Sequence, residues 1–370
     1  MYHAIYPAFD ATIYEFNDET NTGVDQIVEL RKLAMNSKAP DGTFWAGSYN
    51  SRILMTYDLT SLSSSIVSGE IPTNANYYLK LWHANIDNLP VSYDIYAYPV
   101  SESWTNGNGS YGDAPIQKEG VSWKYRHGVN DGTLWASGSN VDYNYQSNVG
   151  GGNWYTGSGY EASQSFQFGD PDIRMNVTDI VNKWISNDIP NNGFILKRLE
   201  SAESGSDIYG SLKFFSRETH TVFVPRLEVV WDDSVLSGTG SFVEIGDNEY
   251  TVYAKNIKPS YAQESRTKIR FGVRDTFPVR AYSTSSNYTT SKRMPTSSYY
   301  SIKDYVTQDV IVPFDENSTR VSCDSNGNYI NIRMEAFMPE RFYEIQLKVE
   351  RDGGDIVDIL DETYIFKIRK

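Results

Sequence analysis

Much of the chain divides into short runs rich in β-branched and aromatic residues, the composition of pleated strands, and some of them alternate apolar and polar positions. In the first part, residues 11–14, 25–30, 51–59, 77–82 and 94–98 read as strands rich in β-branched and aromatic side chains. The pattern breaks off and returns at 194–197, 212–216 and 225–231. In the last third, strands are predicted at 250–254, 268–273, 310–314, 329–334, 343–349 and 364–368, and the last three alternate most cleanly. One segment has the helical period instead. Val177, Ile180, Val181 and Trp184 fall at i, i+3, i+4 and i+7, which gathers them on one face. Asn176 suits the N-cap, and Asp179 sits where a first-turn acid is favoured. The four apolar residues are predicted to be core, buried against the first sandwich, with Thr178, Asp179, Asn182 and Lys183 outward.

These elements predict an all-β chain of two β-sandwich modules, the first with one short helix and long aromatic, Gly-rich loops. A length of 370 residues suffices for two buried cores. The first module reads as 1–232 and the second as 241–370. Residues 233–240 hold Asp233, Ser234, Ser237, Gly238 and Gly240 and read as a linker.

The break at 101–165 is rich in Gly, Ser, Asn, Tyr and Trp. A connection of that length is usually functional or mobile. Among its glycines, Trp135, Trp154, Tyr155 and Tyr160 are the expected contact residues for a ligand or partner. Exposed ring faces suit the apolar C–H surfaces of sugars, and the Tyr/Ser/Gly/Asn mixture also suits adaptable protein binding. Trp104 and Trp123 are predicted to pack the loop onto the sheet as core.

Composition narrows the function classes. The formal net charge is -14, with no Lys/Arg cluster to track phosphates, so nucleic acid is not an expected partner. No stretch approaches the ~18 apolar residues of a membrane span. The first residues lack the basic and apolar regions of a secretory signal. The single cysteine, Cys323, cannot form an internal disulfide. His3, His83, His127 and His220 share no metal-ligand spacing, so no metal and no cofactor are expected. The run from Asp324 to Asn328 looks like part of a calcium loop but lacks its closing Glu, and Asn326-Gly327 reads better as a hairpin turn. Without a nucleophile elbow or a phosphate-cradling loop, binding and assembly are expected rather than catalysis.

Two stretches resemble known proteins. Residues 52–62, Ser103-Trp104-Thr105, Val121-Ser122-Trp123, Val177 to Trp184, Asn192 to Lys197, Phe214 to Glu218 and Pro225 to Val229, taken in order, resemble the DNRLRE family of carbohydrate-binding-module-like β-sandwich domains. Residues 300–304, 311–315, 322–329, 338–343 and 364–368 resemble the C-terminal domain of virion structural proteins in T4-like phages of marine bacteria. The first resemblance implies a sandwich fold and host cell-surface glycans as a possible ligand. The second implies a particle component at the neck, tail or fibre attachment, a homo-oligomer assembled with other virion proteins in the bacterial host cytoplasm.

Overall fold

The alternation carries into the structure. A computed structural model describes residues 1–38, 44–87, 92–136, 150–167, 172–237, 239–278 and 291–370, and its regular structure is almost entirely β. The chain divides into two compact units, Tyr2–Val230 and Trp231–Lys370, the latter with Met1. The stretch expected as a linker lies inside the second unit. The Cys323 N–H donates to the Val235 carbonyl at 2.9 Å, and the Ser237 N–H donates to the Cys323 carbonyl at 3.0 Å. Polar turn composition marks irregular backbone, and it does not distinguish a free tether from a segment paired along a strand.

The first unit has two sheets. The smaller one runs Tyr2–Ile5, Arg226–Val230, Asn76–Leu81, Ile173–Asn176, all antiparallel. In Asn76–Leu81, Tyr77, Leu79 and Leu81 are buried and the residues between them are not, as a one-sided strand requires. The larger sheet runs His83–Asp87, Gly210–Phe215, Ile27–Lys38, Phe44–Tyr57, Phe194–Lys197, Ser92–Pro99, Ala162–Gln167, with Pro7–Tyr14 also paired to Phe44–Tyr57. Its centre is buried on both faces. Register pairs Phe194 with Met55, Ile195 with Leu54 and Leu196 with Ile53, and all six are buried. Successive side chains point opposite ways, so Met55 and Phe194 lie on one face and Leu54 and Ile195 on the other.

The first of those faces receives the helix Thr178–Ile185. Val177, Ile180 and Val181 are fully buried and Trp184 is 5% exposed. The Trp184 ring meets Phe194 edge-on at 4.6 Å. The helix begins one residue later than the sequence suggests. Val177 occupies the cap position, and Asn176 acts from outside it, its Oδ1 accepting the Thr178 N–H at 3.0 Å. Two further helices, Thr60–Val67 and Glu200–Ser204, were not predicted. The first is serine-rich and buries only Leu62, so it has no apolar face for periodicity to reveal.

The second unit is again a pair of sheets. One runs Val243–Glu244, Lys292–Arg293, Arg266–Asp275, Gly327–Arg333, Ser322–Asp324, with Tyr250–Ala254 also on Arg266–Asp275. The other runs Ser260–Ala262, Ile356–Arg369, Phe342–Arg351, Ser298–Asp304, Val310–Val312. Ile269, Phe271 and Ile330 from the first share one core with Ile345, Leu347 and Phe366 from the second. Asp324 pairs with Gly327 across a two-residue turn. The Asp324 carboxylate accepts two bonds of 2.8 Å from the Arg270 guanidinium, which hold its pKa down at about 2. That carboxylate, in the stretch that resembles a calcium loop, is matched by an arginine.

Trp184→Ala should lower the unfolding free energy by about 3–5 kcal/mol, since it empties a large aromatic site in a core. Trp184→Phe should lose much less, because it keeps a ring against Phe194 and removes an indole N–H that has no partner among the described residues. Urea titration of both variants checks this, and equal losses would count against the packing account. A second expectation concerns Asp10, which is buried and accepts the Arg217 N–H at 2.6 Å. Desolvation pushes its pKa up to about 7. A folded-state pKa above the unfolded one means that the stabilising contribution is complete at low pH and is lost as pH rises through about 7. Asp10→Asn should remove that part of the decline in urea midpoint between about pH 4 and 7. An unchanged decline would show that Asp10 is not its source.

Candidate functional site

The second face of the large sheet is covered by the aromatic loop. Ala11, Ile13, Leu54 and Ile195 form one cluster with Val121, Trp123 and Trp135, and Trp104 and Trp154 pack against it. Several hydrogen bonds fix the loop there. The buried Asn21 side chain donates to the Asn106 and Val121 carbonyls at 2.6 and 2.9 Å and accepts the Gly109 N–H at 2.7 Å. The Trp104 indole donates to the Asn192 carbonyl at 2.9 Å. Farther along, the Tyr155 N–H donates to the Pro99 carbonyl at 3.0 Å.

A charged network lies beneath this cover. Glu203 accepts two bonds from Arg52, at 3.1 and 2.6 Å, and pairs with Lys197 at 3.1 Å. The Arg52 guanidinium lies 4.7 Å from the Trp123 ring and 5.1 Å from the Trp154 ring, and its remaining arm donates to the Gly151 carbonyl at 2.5 Å. The Lys197 ammonium sits 4.3 Å above Trp154. Burial pushes the Lys197 pKa down, and Glu203 opposes that shift. Lys32 secures the short helix that carries Glu203, donating to the Ala202 and Gly205 carbonyls at 2.6 and 2.5 Å.

This geometry revises the expected contact residues. Trp135 is 3% exposed, and its indole donates to the Ser122 carbonyl at 3.0 Å, so it is core and offers no face to a ligand. Trp154 is half-buried, with both cations against its ring. Gly150, Gly151 and Gly152, among the glycines that suggested exposed platforms, serve close approach instead. Gly151 has φ +80°, and a Cβ there would run into the Arg52 guanidinium and the Trp123 ring. Trp123 is buried and Trp104 half-buried, in packing positions. Tyr155 and Tyr160 remain partly exposed, stacked at 5.7 Å with the Lys183 ammonium 4.4 Å from the Tyr160 ring. Residues 137–149 of the predicted loop lie outside the described residues.

Sequence reasoning missed a different surface. In the second unit, Val310–Val312 is an edge strand of the five-stranded sheet. Val310 and Ile311 are about half exposed, and Val306 in the preceding turn is 77% exposed. Tyr305 and Phe342 are also exposed, and the Tyr305 N–H donates to the Phe342 carbonyl at 2.9 Å, which brings them together. The signal was present as an unbroken apolar run at 310–312, which a half-buried strand does not need.

Among the described residues, no three His, Cys, Asp or Glu side chains converge to hold a metal ion. No described helix is long and apolar enough to cross a membrane. No family model matches the chain, and no curated protein or solved structure matches it either.

Glu203→Gln should cost about 3–5 kcal/mol, because it leaves two buried cations without their shared carboxylate. Urea denaturation read by tryptophan fluorescence checks this. A loss below about 1 kcal/mol would show that packing alone holds the loop.

Proposed function

We propose that this chain is a structural protein of a tailed-bacteriophage virion, sited on the particle exterior at the neck, tail or fibre attachment. It acts by protein–protein assembly in several copies. The phage assignment rests on the resemblance of the last third of the chain. The assembly mechanism is supported by one observation above all, the apolar corner formed by Tyr305, Val306, Val310, Ile311 and Phe342 beside an edge strand. An exposed edge offers unpaired backbone donors and acceptors, and apolar side chains next to it gain about 25 cal/mol for each Å² they bury against a neighbour.

A second reading, recognition of host cell-surface glycans, draws support from the partly exposed Tyr155 and Tyr160 rings. The two readings are compatible on a particle surface.

Purified particles should contain the chain by mass spectrometry, and antibody labelling should decorate the neck, tail or fibre base. Particles that lack it would overturn the virion assignment. Val306→Asp combined with Ile311→Asp should leave circular dichroism unchanged and abolish incorporation into particles. Normal incorporation would remove the apolar corner from the mechanism. Glycan-array binding that disappears in Tyr160→Ala with the fold intact would establish the second reading.

A further inference from the structure

We propose that the first unit holds a binding site for a carboxylate carried on a ring-shaped body, with Arg198 pairing the charge. A recess of about 330 Å³ opens where Ser92–Pro99 and Ala162–Gln167 lie side by side at the edge of the large sheet. Small-ligand sites begin at about this size. Its walls include Tyr93, Tyr96, Phe166 and Tyr209. Tyr93 and Phe166 are stacked at 4.9 Å with only 5° between their planes, which gives a rigid flat surface. Ser92, Ser165 and Gln167 supply polar groups beside these rings.

Arg198 also lines the recess and is 3% exposed. Among the described residues its Nε has no hydrogen-bond partner, and one terminal nitrogen donates only a long 3.4 Å bond to the Tyr209 carbonyl. The guanidinium carbon lies 5.1 Å from the Tyr209 ring. Arg52, Arg174, Arg270 and Arg341 each pair with a carboxylate at 3.0 Å or closer. Among the described residues Arg198 has no such pair, and desolvation drags its pKa down to about 10. Glu203 attracts Arg198 electrostatically but does not pair with it, so this most buried of the described arginines keeps unused donors. A cation taken out of water without a counter-charge is costly, and an anion from outside offsets that cost.

The chemistry of the recess selects the anion. A guanidinium presents pairs of parallel N–H groups, which match the two oxygens of a carboxylate. Among the described residues Arg198 is the only cation on the lining, and Asp94 stands on the same lining at an exposed position. One positive charge balances a monoanion, and Asp94 disfavours a dianion such as phosphate. The aromatic walls take an apolar or sugar ring. The carboxylate can therefore come from a sugar acid or from a free cyclic organic acid.

Isothermal titration of the full chain with glucuronate, galacturonate, benzoate and cyclohexanecarboxylate, against glucose and cyclohexylmethanol, tests the proposal. At least one acid should bind at least about tenfold more tightly than its neutral counterpart. Binding of the sugar acids alone, or of the free acids alone, identifies the source, and either result supports the site. Arg198→Met should abolish that preference while its melting temperature stays level or rises, because the variant removes an unpaired buried charge. Arg198→Lys should weaken binding by losing the two-pronged donor. The proposal is overturned if no acid binds the wild-type chain at millimolar concentration, if neutral and acid forms bind alike, or if folded Arg198→Met retains the preference. The wild-type comparison decides alone should Arg198→Met fail to fold.

Discussion

The first unit depends on a buried set of charges, Arg52, Glu203 and Lys197, clamped between the sheet and two indoles. Two cations share one carboxylate, so hydrogen bonds and aromatic faces must carry the remaining charge. The Gly151 carbonyl and the Trp123 and Trp154 rings do so. Each of those groups belongs to the aromatic loop, and the cations and Glu203 belong to the sheet and the short helix. The loop and the sheet therefore complete one another. Without the loop, Ile13, Leu54 and Ile195 would face water. Without the cations, the loop would lose the charge that orients its two indoles. A buried ion network adds little stability compared with a well-packed apolar one, but it fixes geometry. Here it fixes which loop residues reach the sheet.

The same network explains what could be read from the sequence. Regular strands were legible because alternation is local: Tyr77, Leu79 and Leu81 announce their inward face within six residues. The helix was legible for the same reason, since Val177, Ile180, Val181 and Trp184 define a face by themselves. The loop follows no period. Whether Trp135 is exposed depends on the Ser122 carbonyl, on Asn21 more than a hundred residues earlier, and on the Arg52 and Glu203 pairing. Glycine was equally ambiguous. It permits an exposed ring and it permits close approach, and only the position of Arg52 against Gly151 separates the two. The short strand Phe194–Lys197 shows the converse case. Its unbroken burial reflects a sheet covered on both sides, and the alternation that identifies other strands is absent from it.

The two edges of the five-stranded sheet in the second unit are treated differently. Ser260–Ala262 lies among Lys258, Arg266, Lys268 and Arg369. Cations along an edge discourage pairing with another strand, and a three-residue strand offers little to pair with. Val310–Val312 is equally short, but its exposed side chains are Val310 and Ile311. Asp309 is the nearest charge in sequence on one side, and Pro313 follows on the other. An edge that only needed protection would have charge at these positions. The asymmetry supports the assembly reading more strongly than exposed apolar area by itself, because scattered surface hydrophobics are ordinary. One accepting and one repelling edge stop open-ended addition: identical copies can meet only through Val310–Val312 itself, a closed two-fold contact.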